Sequence, residues 1–110
     1  MDRRIEAAIR IIQMEESRHL AIADLARRVG LSPWHFIRLF KAETSFTPKQ
    51  YLLNARLKHA QQLLGHSFLS VKEVAANVGF DDRSHFSRAF KNINGEAPTN
   101  FREHQRRKSA

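Results

Sequence analysis

The feature that most constrains the fold of this chain is a segment that occurs twice. Residues 32–41 read SPWHFIRLFK, and residues 82–91 read DRSHFSRAFK. Five residues of the first copy, His35, Phe36, Arg38, Phe40 and Lys41, recur as His85, Phe86, Arg88, Phe90 and Lys91. The similarity extends upstream to Gly30 and Gly79, and the turn after the glycine is one residue longer in the second copy. Two copies are too few for a solenoid, so the duplication predicts a pair of related folding units.

The apolar residues repeat with the period of an α-helix along the chain, and no stretch alternates as a strand requires. Together with start and stop signals, this periodicity predicts seven helices. The first two helices are expected at residues 3–16 and 22–29, and the third begins at residue 33. The fourth and fifth are expected at residues 47–64 and 71–78, and the sixth begins at residue 82 or 83. The seventh is expected at residues 98–105 and is followed by a frayed basic tail. The residues expected to face the core are Phe36, Leu39 and Phe40 in the third helix, and Phe86, Ala89, Phe90 and Ile93 in the sixth.

Several helix starts carry a side chain that is suited to capping. They are Ser32 before Pro33, the capping boxes of Thr47 with Gln50 and of Ser70 with Glu73, and Asp81 or Asp82 before the sixth helix. The second helix differs, because Ala21 stands where the second copy has Ser70. It is expected to lack a side-chain N-cap that contributes about 1 kcal/mol. The expected helix stops are Gly30, Gly65 and Gly79.

These elements predict an all-α protein. A short helix, a turn and a second helix occur in each copy, which is the layout of a helix-turn-helix. We therefore expect seven helices forming two homeodomain-like, three-helical helix-turn-helix subdomains joined by a long linker helix. The predicted boundaries are residues 1–46 for the N-terminal subdomain, 47–65 for the linker helix, and 66–110 for the C-terminal subdomain with its basic tail.

The composition of the chain limits the class of protein and the cellular compartment that can be expected. A hydrophobic content of 42% argues against disorder. No apolar run approaches the roughly 20 residues that span a bilayer, and the opening MDRRIEAAIR lacks the continuous apolar core of a secretory signal. The absence of cysteine excludes disulfides, thiolate nucleophiles and Cys-type zinc sites. We expect a cytoplasmic, nucleoid-associated protein.

The charge of the chain indicates a polyanionic partner. The formal net charge is +8 and the pI is about 10.9, values that favour nucleic acid or an anionic membrane surface. Residues 25–58 carry seven basic residues against one acid, and residues 83–108 carry seven against two. One such block is commonly only a solvated face, but two blocks at matching places in a repeat favour a binding surface. Because the phenylalanines are needed for two internal cores, a membrane-binding helix is the weaker alternative.

In a helix-turn-helix that reads DNA, the second helix exposes polar side chains to base edges in the major groove. At about 100° per residue, Arg38 lies opposite Phe36, and Arg88 lies opposite Phe86. Arginine donates a bidentate hydrogen-bond pair to guanine, so these two residues are the predicted readers. Trp34 and Ile37 are predicted to make apolar base contacts, with partial burial as the alternative for Trp34 and the core flank for Ile37. The predicted phosphate contacts are Lys41, Lys49, Lys91, His35 and Ser87, with packing as the alternative for His35.

Two stretches carry a resemblance to a known family. LARRVGLSPWHFIRLFK, and VAANVGFDDRSHFSRAFKNINGEAPTNFR with its Phe-Ser-Arg-x-Phe-Lys and Pro-x-x-[Phe/Tyr]-Arg elements, resemble the AraC/XylS family of bacterial transcription regulators over residues 5–106. The resemblance is to the stand-alone type similar to MarA and SoxS. It implies a seven-helix DNA-binding unit and base contacts at Trp34, Ile37, Arg38, Arg83, Ser84 and Arg88. It also implies double-stranded promoter DNA and RNA polymerase as partners, activation of transcription, and a monomer on DNA.

Other functions remain as alternatives. The chain is alternatively the excised DNA-binding domain of a larger ligand-responsive regulator, or, less in keeping with the pattern, a repressor or a nonspecific nucleic-acid binder. An enzyme is not expected, since there is no glycine-rich phosphate loop and no recognisable catalytic spacing. We expect no cofactor, no catalytic residue and no metal. His59 and His66 lie seven residues apart on one helical face, but two imidazoles alone make a poor metal site.

Overall fold

The computed structural model describes residues 1–109, and every regular element in that range is an α-helix. The helices are α1 (Arg3–Glu15), α2 (Ile22–Arg28), α3 (Pro33–Thr44), α4 (Pro48–His66), α5 (Val71–Asn77), α6 (Arg83–Asn94) and α7 (Pro98–Ser109). The prediction of an all-α chain with two helix-turn-helix subdomains and a long connecting helix is confirmed. Within the described range, no helix is both long and apolar enough to cross a membrane.

The chain divides into two compact units, Met1–Ala55 and Arg56–Ala110, and the division falls inside α4. The three-part division that was predicted from the sequence treated α4 as a linker. In the structure, the first half of α4 belongs to the first unit and the second half belongs to the second. The helix therefore contributes residues to both cores rather than only connecting them.

The core of the first unit is built from α1, α2, α3 and the start of α4. Its fully buried residues include Ile5, Leu25, Phe36 and Phe40. The rings of Phe36 and Phe40 meet edge to face with centroids 5.6 Å apart, and Phe40 meets Tyr51 of α4 in the same way at 5.4 Å. Edge-to-face pairs add to the hydrophobic stabilisation that burial of the rings provides. This packing places α3 against the core.

The second unit repeats that core with different residues. Phe86 and Phe90 of α6 are fully buried, their ring centroids lie 5.8 Å apart, and Phe90 meets Phe101 of α7 at 5.4 Å. Phe80 adds a further edge contact to Phe86 at 5.3 Å. The aromatic residues that recur in the sequence therefore hold α6 against its core as their counterparts hold α3.

The repeat also includes a helix that was not recognised from the similarity between the two halves of the sequence. In α1 the buried residues are Ile5, Ala8 and Ile12, and in the second half of α4 they are Leu57, Ala60 and Leu64. The two sets have the same spacing along the chain, and each member is at most 1% exposed. The second half of α4 thus plays the part in its unit that α1 plays in the first.

The capping boxes form as predicted. The Thr47 hydroxyl accepts a hydrogen bond from the Gln50 backbone N–H at 3.2 Å, and the Gln50 side chain accepts one from the Thr47 N–H at 3.0 Å. Ser70 and Glu73 make the same exchange at 3.1 and 2.9 Å. The hydrogen bonds from the Ser70 backbone and then its hydroxyl hold the pKa of Glu73 below its ordinary value. At α2, Ala21 makes no side-chain cap, as expected.

Helix ends differ from the predictions in several places. Gly30 and Gly79 have φ of +79° and +94°, as expected, but Gly65 is helical and α4 continues to His66. Ser67, the residue that follows α4, donates both its backbone N–H and its hydroxyl to the Leu63 carbonyl, at 3.0 and 2.6 Å. The ends of α1, α2 and α5 each fall one residue earlier than predicted, which is within the ordinary uncertainty of helix ends.

The basic tail that was predicted to fray is helical through Ser109. Arg107 lies 3.9 Å from Glu103, one turn earlier in α7. The last turn carries Arg106, Arg107 and Lys108, and cations are favourable at the negative end of the helix dipole. These local interactions account for the additional turn.

One residue of the predicted buried stripe is at the surface. Ile93 is 49% exposed, although its helical phase matches that of Phe86. It lies in the last turn of α6, and the equivalent position in α3 is the exposed Glu43. The Glu43 carboxylate accepts a hydrogen bond from the Asp2 backbone N–H at 2.8 Å, so this position faces the rim of the core in the first unit. Periodicity alone does not show where the core ends along a helix.

Candidate nucleic-acid interface

The helices α3 and α6 begin in the same way. The Ser32 hydroxyl accepts a hydrogen bond from the His35 backbone N–H at 3.3 Å, and the Asp82 carboxylate accepts one from the His85 N–H at 2.7 Å. Of the two acids that were candidates for this cap, Asp82 is therefore the one used. Each helix is 12 residues long. The caps place the first turn, which precedes each predicted reading arginine, in the same register.

Both helices also end in the same way, at a residue with left-handed backbone. Ser45 follows α3 with φ of +70°, and Gly95 follows α6 with φ of +80°. The N–H of each donates to the carbonyl of a lysine, Lys41 or Lys91, at 2.8 Å. The start, length and end of the two helices thus match, so corresponding residues have the same helical phase in their own units.

The outer face of α3 carries the predicted contact residues of the first unit. Trp34 is 68% exposed and Ile37 is 39% exposed, while Phe36 and Phe40 are fully buried behind them. Both side chains are accessible, and Ile37 lies at the edge of the exposed face. Arg38 and His35 are also exposed. The surface of α3 is therefore apolar at two positions and basic at its centre.

The structure brings Trp34 and Arg38 together. The guanidinium carbon of Arg38 lies 4.5 Å from the centroid of the indole, within the range of a cation–π contact. The two residues are four positions apart, so their side chains lie one above the other on the helix surface. Both residues were predicted from the sequence to contact bases, but a contact between them was not predicted.

The outer face of α6 is more polar. Arg83, Ser84 and Arg88 are exposed, and Ser87 is half-buried. In the part of the chain that the structure describes, no ion pair engages Arg83 or Arg88. Ser84 occupies the position that Trp34 has in α3, so Arg88 has no aromatic ring one turn before it. The two units therefore present the same arginine with different neighbours.

The predicted phosphate contacts are mostly at the surface. Lys41 and Lys91 are exposed at the ends of their helices, and Lys49 is exposed in the first turn of α4. His85, the counterpart of His35, differs in that its ring meets Phe80 edge to face at 5.3 Å. Lysine ammonium groups in such positions bind phosphate without reading sequence.

Ion pairs engage two arginines of the first basic block, so a count along the sequence overstates the positive charge that this block can offer to a polyanion. Arg28 forms a bidentate pair with Glu15 at 3.0 and 2.7 Å, and this guanidinium lowers the pKa of Glu15. Arg27 lies 2.8 Å from Asp24. Both acids precede the block that begins at residue 25, Asp24 directly and Glu15 by ten residues, so a charge count over the block does not include them.

A structural role for Arg102 was missed by sequence reasoning. Its Nε donates to the Leu64 backbone carbonyl at 3.0 Å, and a terminal nitrogen donates to the Leu69 carbonyl. Burial, and then the nearby charge of Arg106, lowers the pKa of the Arg102 guanidinium. The counterpart in the first unit is the buried Leu52. An arginine that replaces a core leucine in a repeat is the signal that indicates this role.

The two histidines of α4 line one surface depression. It has a volume of about 360 Å³, and it is lined by His59, Gln62, Leu63, His66 and Ser67. The lining offers two imidazoles and no carboxylate. Among residues 1–109, no group of three or more His, Cys, Asp or Glu side chains is placed to hold a metal ion.

Comparison with known proteins identifies relatives of this arrangement. A family model described as a helix-turn-helix domain matches residues 25–104. The chain is 36% identical over 94 residues to the Msm operon regulatory protein of Streptococcus mutans, covering 86% of this chain and 34% of that protein. It is 30% identical over 100 residues to the lactose operon transcription activator of Staphylococcus xylosus, covering 91% and 36%. The chain thus spans about a third of the length of the curated relatives it matches.

A solved structure supports the same fold. The DNA-binding domain of AdpA, described as a global transcriptional factor and solved in complex with a target DNA, is similar with a TM-score of 0.91. The identity is 28%, and the similarity covers 94% of both chains.

Proposed function

The chain belongs to the AraC family of helix-turn-helix DNA-binding transcription regulators, and from this membership we propose that it reads double-stranded promoter DNA with α3 and α6. The observation that carries the proposal is an exposed arginine at the same position of each helix, Arg38 and Arg88, opposite a pair of buried phenylalanines. The fold and the family are those of DNA-binding regulators, and we propose that the chain acts without catalysis.

The chemistry of the two faces supports sequence recognition. Each arginine has the donors for a bidentate contact with guanine O6 and N7, which discriminates against other bases by about 1–3 kcal/mol. Trp34 and Ile37 offer apolar surface to thymine methyls, and Arg83 and Ser84 offer donors beside Arg88. The phosphate contacts that we propose are Lys41, Lys49, Lys91, His35 and Ser87. Most of the affinity then comes from phosphates and most of the specificity from the two arginines.

We further propose that the two helices enter successive major grooves, which lie about 34 Å apart on B-DNA. In this arrangement residues 1–46 and 66–110 act as reading subdomains and residues 47–65 as the link. The chain then binds as a monomer to a site of roughly two helical turns. The site is asymmetric, because Trp34 and Ile37 differ from their counterparts Ser84 and Ser87.

Activation of transcription through RNA polymerase, in the cytoplasm and at the nucleoid, is the regulatory outcome that we propose. It is supported by the name of one relative, the lactose operon transcription activator. A second candidate is favoured by the length of the relatives, of which the chain covers 34–36%. In it, the same DNA-binding unit operates within a larger ligand-responsive regulator.

Selection of bound sequences from random DNA tests the proposal. The 110-residue chain is expected to enrich one asymmetric sequence with a guanine in each half. Arg38→Ala and Arg88→Ala are each expected to reduce the preference for the selected site over random DNA by about tenfold or more, as expected for loss of a bidentate base contact. Arg10→Ala is the matched control, because Arg10 is an exposed arginine of α1. Equal losses on selected and random DNA would show that the two arginines only clamp phosphate.

A further inference from the structure

The contact between Trp34 and Arg38 is formed within α3 itself. The guanidinium carbon lies 4.5 Å from the ring centroid, and both residues lie on the exposed face of α3. Trp34 is 68% exposed, so the ring is not a core residue that the arginine happens to touch. The contact is formed by two surface side chains one helical turn apart.

A guanidinium group that stacks on a ring can still use its N–H donors to read a base. A guanidinium group is planar, and it binds an aromatic ring through its face, whereas its N–H donors lie at its edge. An arginine side chain also has about 2 kcal/mol of rotamer entropy to lose when it is fixed. An arginine that is already held on a ring loses less of that entropy when it meets guanine, so its base contact is preorganised.

The second unit provides an internal comparison. Arg88 has the same helical phase as Arg38, but the residue one turn before it is Ser84, which has no ring. Arg88 therefore has no equivalent restraint from its own helix. Both arginines are expected to make the same type of base contact, but Arg38 is restrained by a neighbouring ring and Arg88 is not.

We propose that Trp34 is a positioning residue for Arg38, so that the guanine read by α3 is discriminated more strongly than the guanine read by α6. This inference rests on the proposed function, because it requires that Arg38 read a base. It assigns to Trp34 a role that acts through Arg38, in addition to the apolar base contact proposed above. The two roles make different predictions when Arg38 is removed.

The test uses the selected duplex with single guanines replaced by 7-deazaguanine, which lacks the N7 acceptor. For each position, the ratio of the Kd for the substituted duplex to the Kd for the unmodified duplex measures the N7 contact. The guanine at which Arg38→Ala returns this ratio to about one is the guanine that Arg38 reads, as expected when its donor is gone. Arg88→Ala identifies the second guanine in the same way.

Trp34→Ala is then expected to lower the ratio at the Arg38 guanine by about two- to fivefold, the range of an exposed cation–π contact. It is expected to leave the ratio at the Arg88 guanine unchanged. Trp34→Phe retains a ring and is expected to keep most of the ratio, whereas Trp34→Leu, which is apolar without a ring, is expected to behave as Trp34→Ala. Thermal unfolding of each variant without DNA serves as the control for a structural effect.

The double variant with Arg38→Ala separates the outcomes. If Trp34 acts through Arg38, adding Trp34→Ala to Arg38→Ala causes a smaller loss of affinity for the selected duplex than Trp34→Ala causes in the wild-type background. An equal loss in the two backgrounds would show that Trp34 acts only by direct contact and would overturn the positioning role. An unchanged ratio in Trp34→Ala alone would overturn it too. If Arg38→Ala returns the Kd ratio to about one at no guanine, Arg38 does not read a base. The positioning role of Trp34 is then overturned together with the proposed function of Arg38.

Discussion

The Nε of Arg102 donates a hydrogen bond to the backbone carbonyl of Leu64 at 3.0 Å, which ties α7 to the end of α4. A second donor of the same guanidinium reaches the Leu69 carbonyl, just before α5. One side chain of α7 therefore holds both the end of α4 and the loop that leads into α5.

Replacement of Arg102 by Leu, the residue at the equivalent position of the first unit, is expected to destabilise the second unit. Two partly buried carbonyls lose a charged donor, which corresponds to a loss of about 2–3 kcal/mol in the free energy of unfolding. Chemical denaturation measures the effect. Arg88→Leu is the control, because Arg88 is an exposed arginine of the same unit. Equal stability of the two variants would contradict the role given to Arg102.

A substitution at Ser45, the residue after α3, is expected to increase the stability of the chain. Ser45 has φ of +70°, a conformation that costs a residue with a Cβ about 1–2 kcal/mol and costs glycine little. Ser45→Gly is therefore expected to stabilise the chain by about 0.5–1 kcal/mol after the entropy cost of glycine in the unfolded state. Gly95→Ser, the reciprocal change, is expected to destabilise it. A Cβ at Gly95 meets no atom within 4 Å, so its effect reports the backbone alone. Thermal unfolding that moves both variants in the same direction would refute this explanation.

The two units also differ in the N-cap of their first short helix, which is Ala21 before α2 and Ser70 before α5. Ala21 accepts no side-chain hydrogen bond, whereas Ser70 accepts one from the Glu73 N–H at 3.1 Å. Ala21→Ser is expected to raise the free energy of unfolding by about 1 kcal/mol, and Ser70→Ala is expected to lower it by a similar amount. Urea titration of the pair checks the prediction. It is contradicted if Ala21→Ser has no effect while Ser70→Ala destabilises.

The contact of Trp34 with Arg38 predicts an optical signal, since Trp34 is the only tryptophan of the chain. Arg38 covers part of one indole face at 4.5 Å. Arg38→Ala is therefore expected to increase quenching of the fluorescence by acrylamide in the free protein. Arg10→Ala, on α1, is expected to leave the quenching at the wild-type value. Identical quenching constants for all three proteins would show that the stack is absent in solution.

Much of the fold was predictable because the signals are local. The capping box of Ser70 with Glu73 and the left-handed glycines Gly30 and Gly79 depend on a few neighbouring residues, and each occurs as predicted. The exceptions depend on tertiary packing. Gly65 is helical and lies against Gln105 of α7, whose Cβ would be 3.8 Å from a Cβ at position 65, and Ile93 is exposed because the core does not extend along the whole of α6.

The candidate site was predictable in its positions but not in its interactions. Helical phase separates Arg38 from Phe36 because the period of a helix is fixed. It does not show that Arg38 lies on Trp34, or that Arg28 is engaged by Glu15 on another helix. Those contacts depend on rotamers and on the approach of distant segments, which a single sequence does not specify.

Hydroxyl-radical footprinting of the chain on its selected duplex tests the central claim most directly. If α3 and α6 enter successive major grooves, the wild-type protein protects two segments of backbone about one helical turn apart, on the same face of the DNA. Arg38→Ala is expected to weaken protection of one segment more than the other, and Arg88→Ala the reverse. A single protected segment, weakened equally by both variants, would contradict the account.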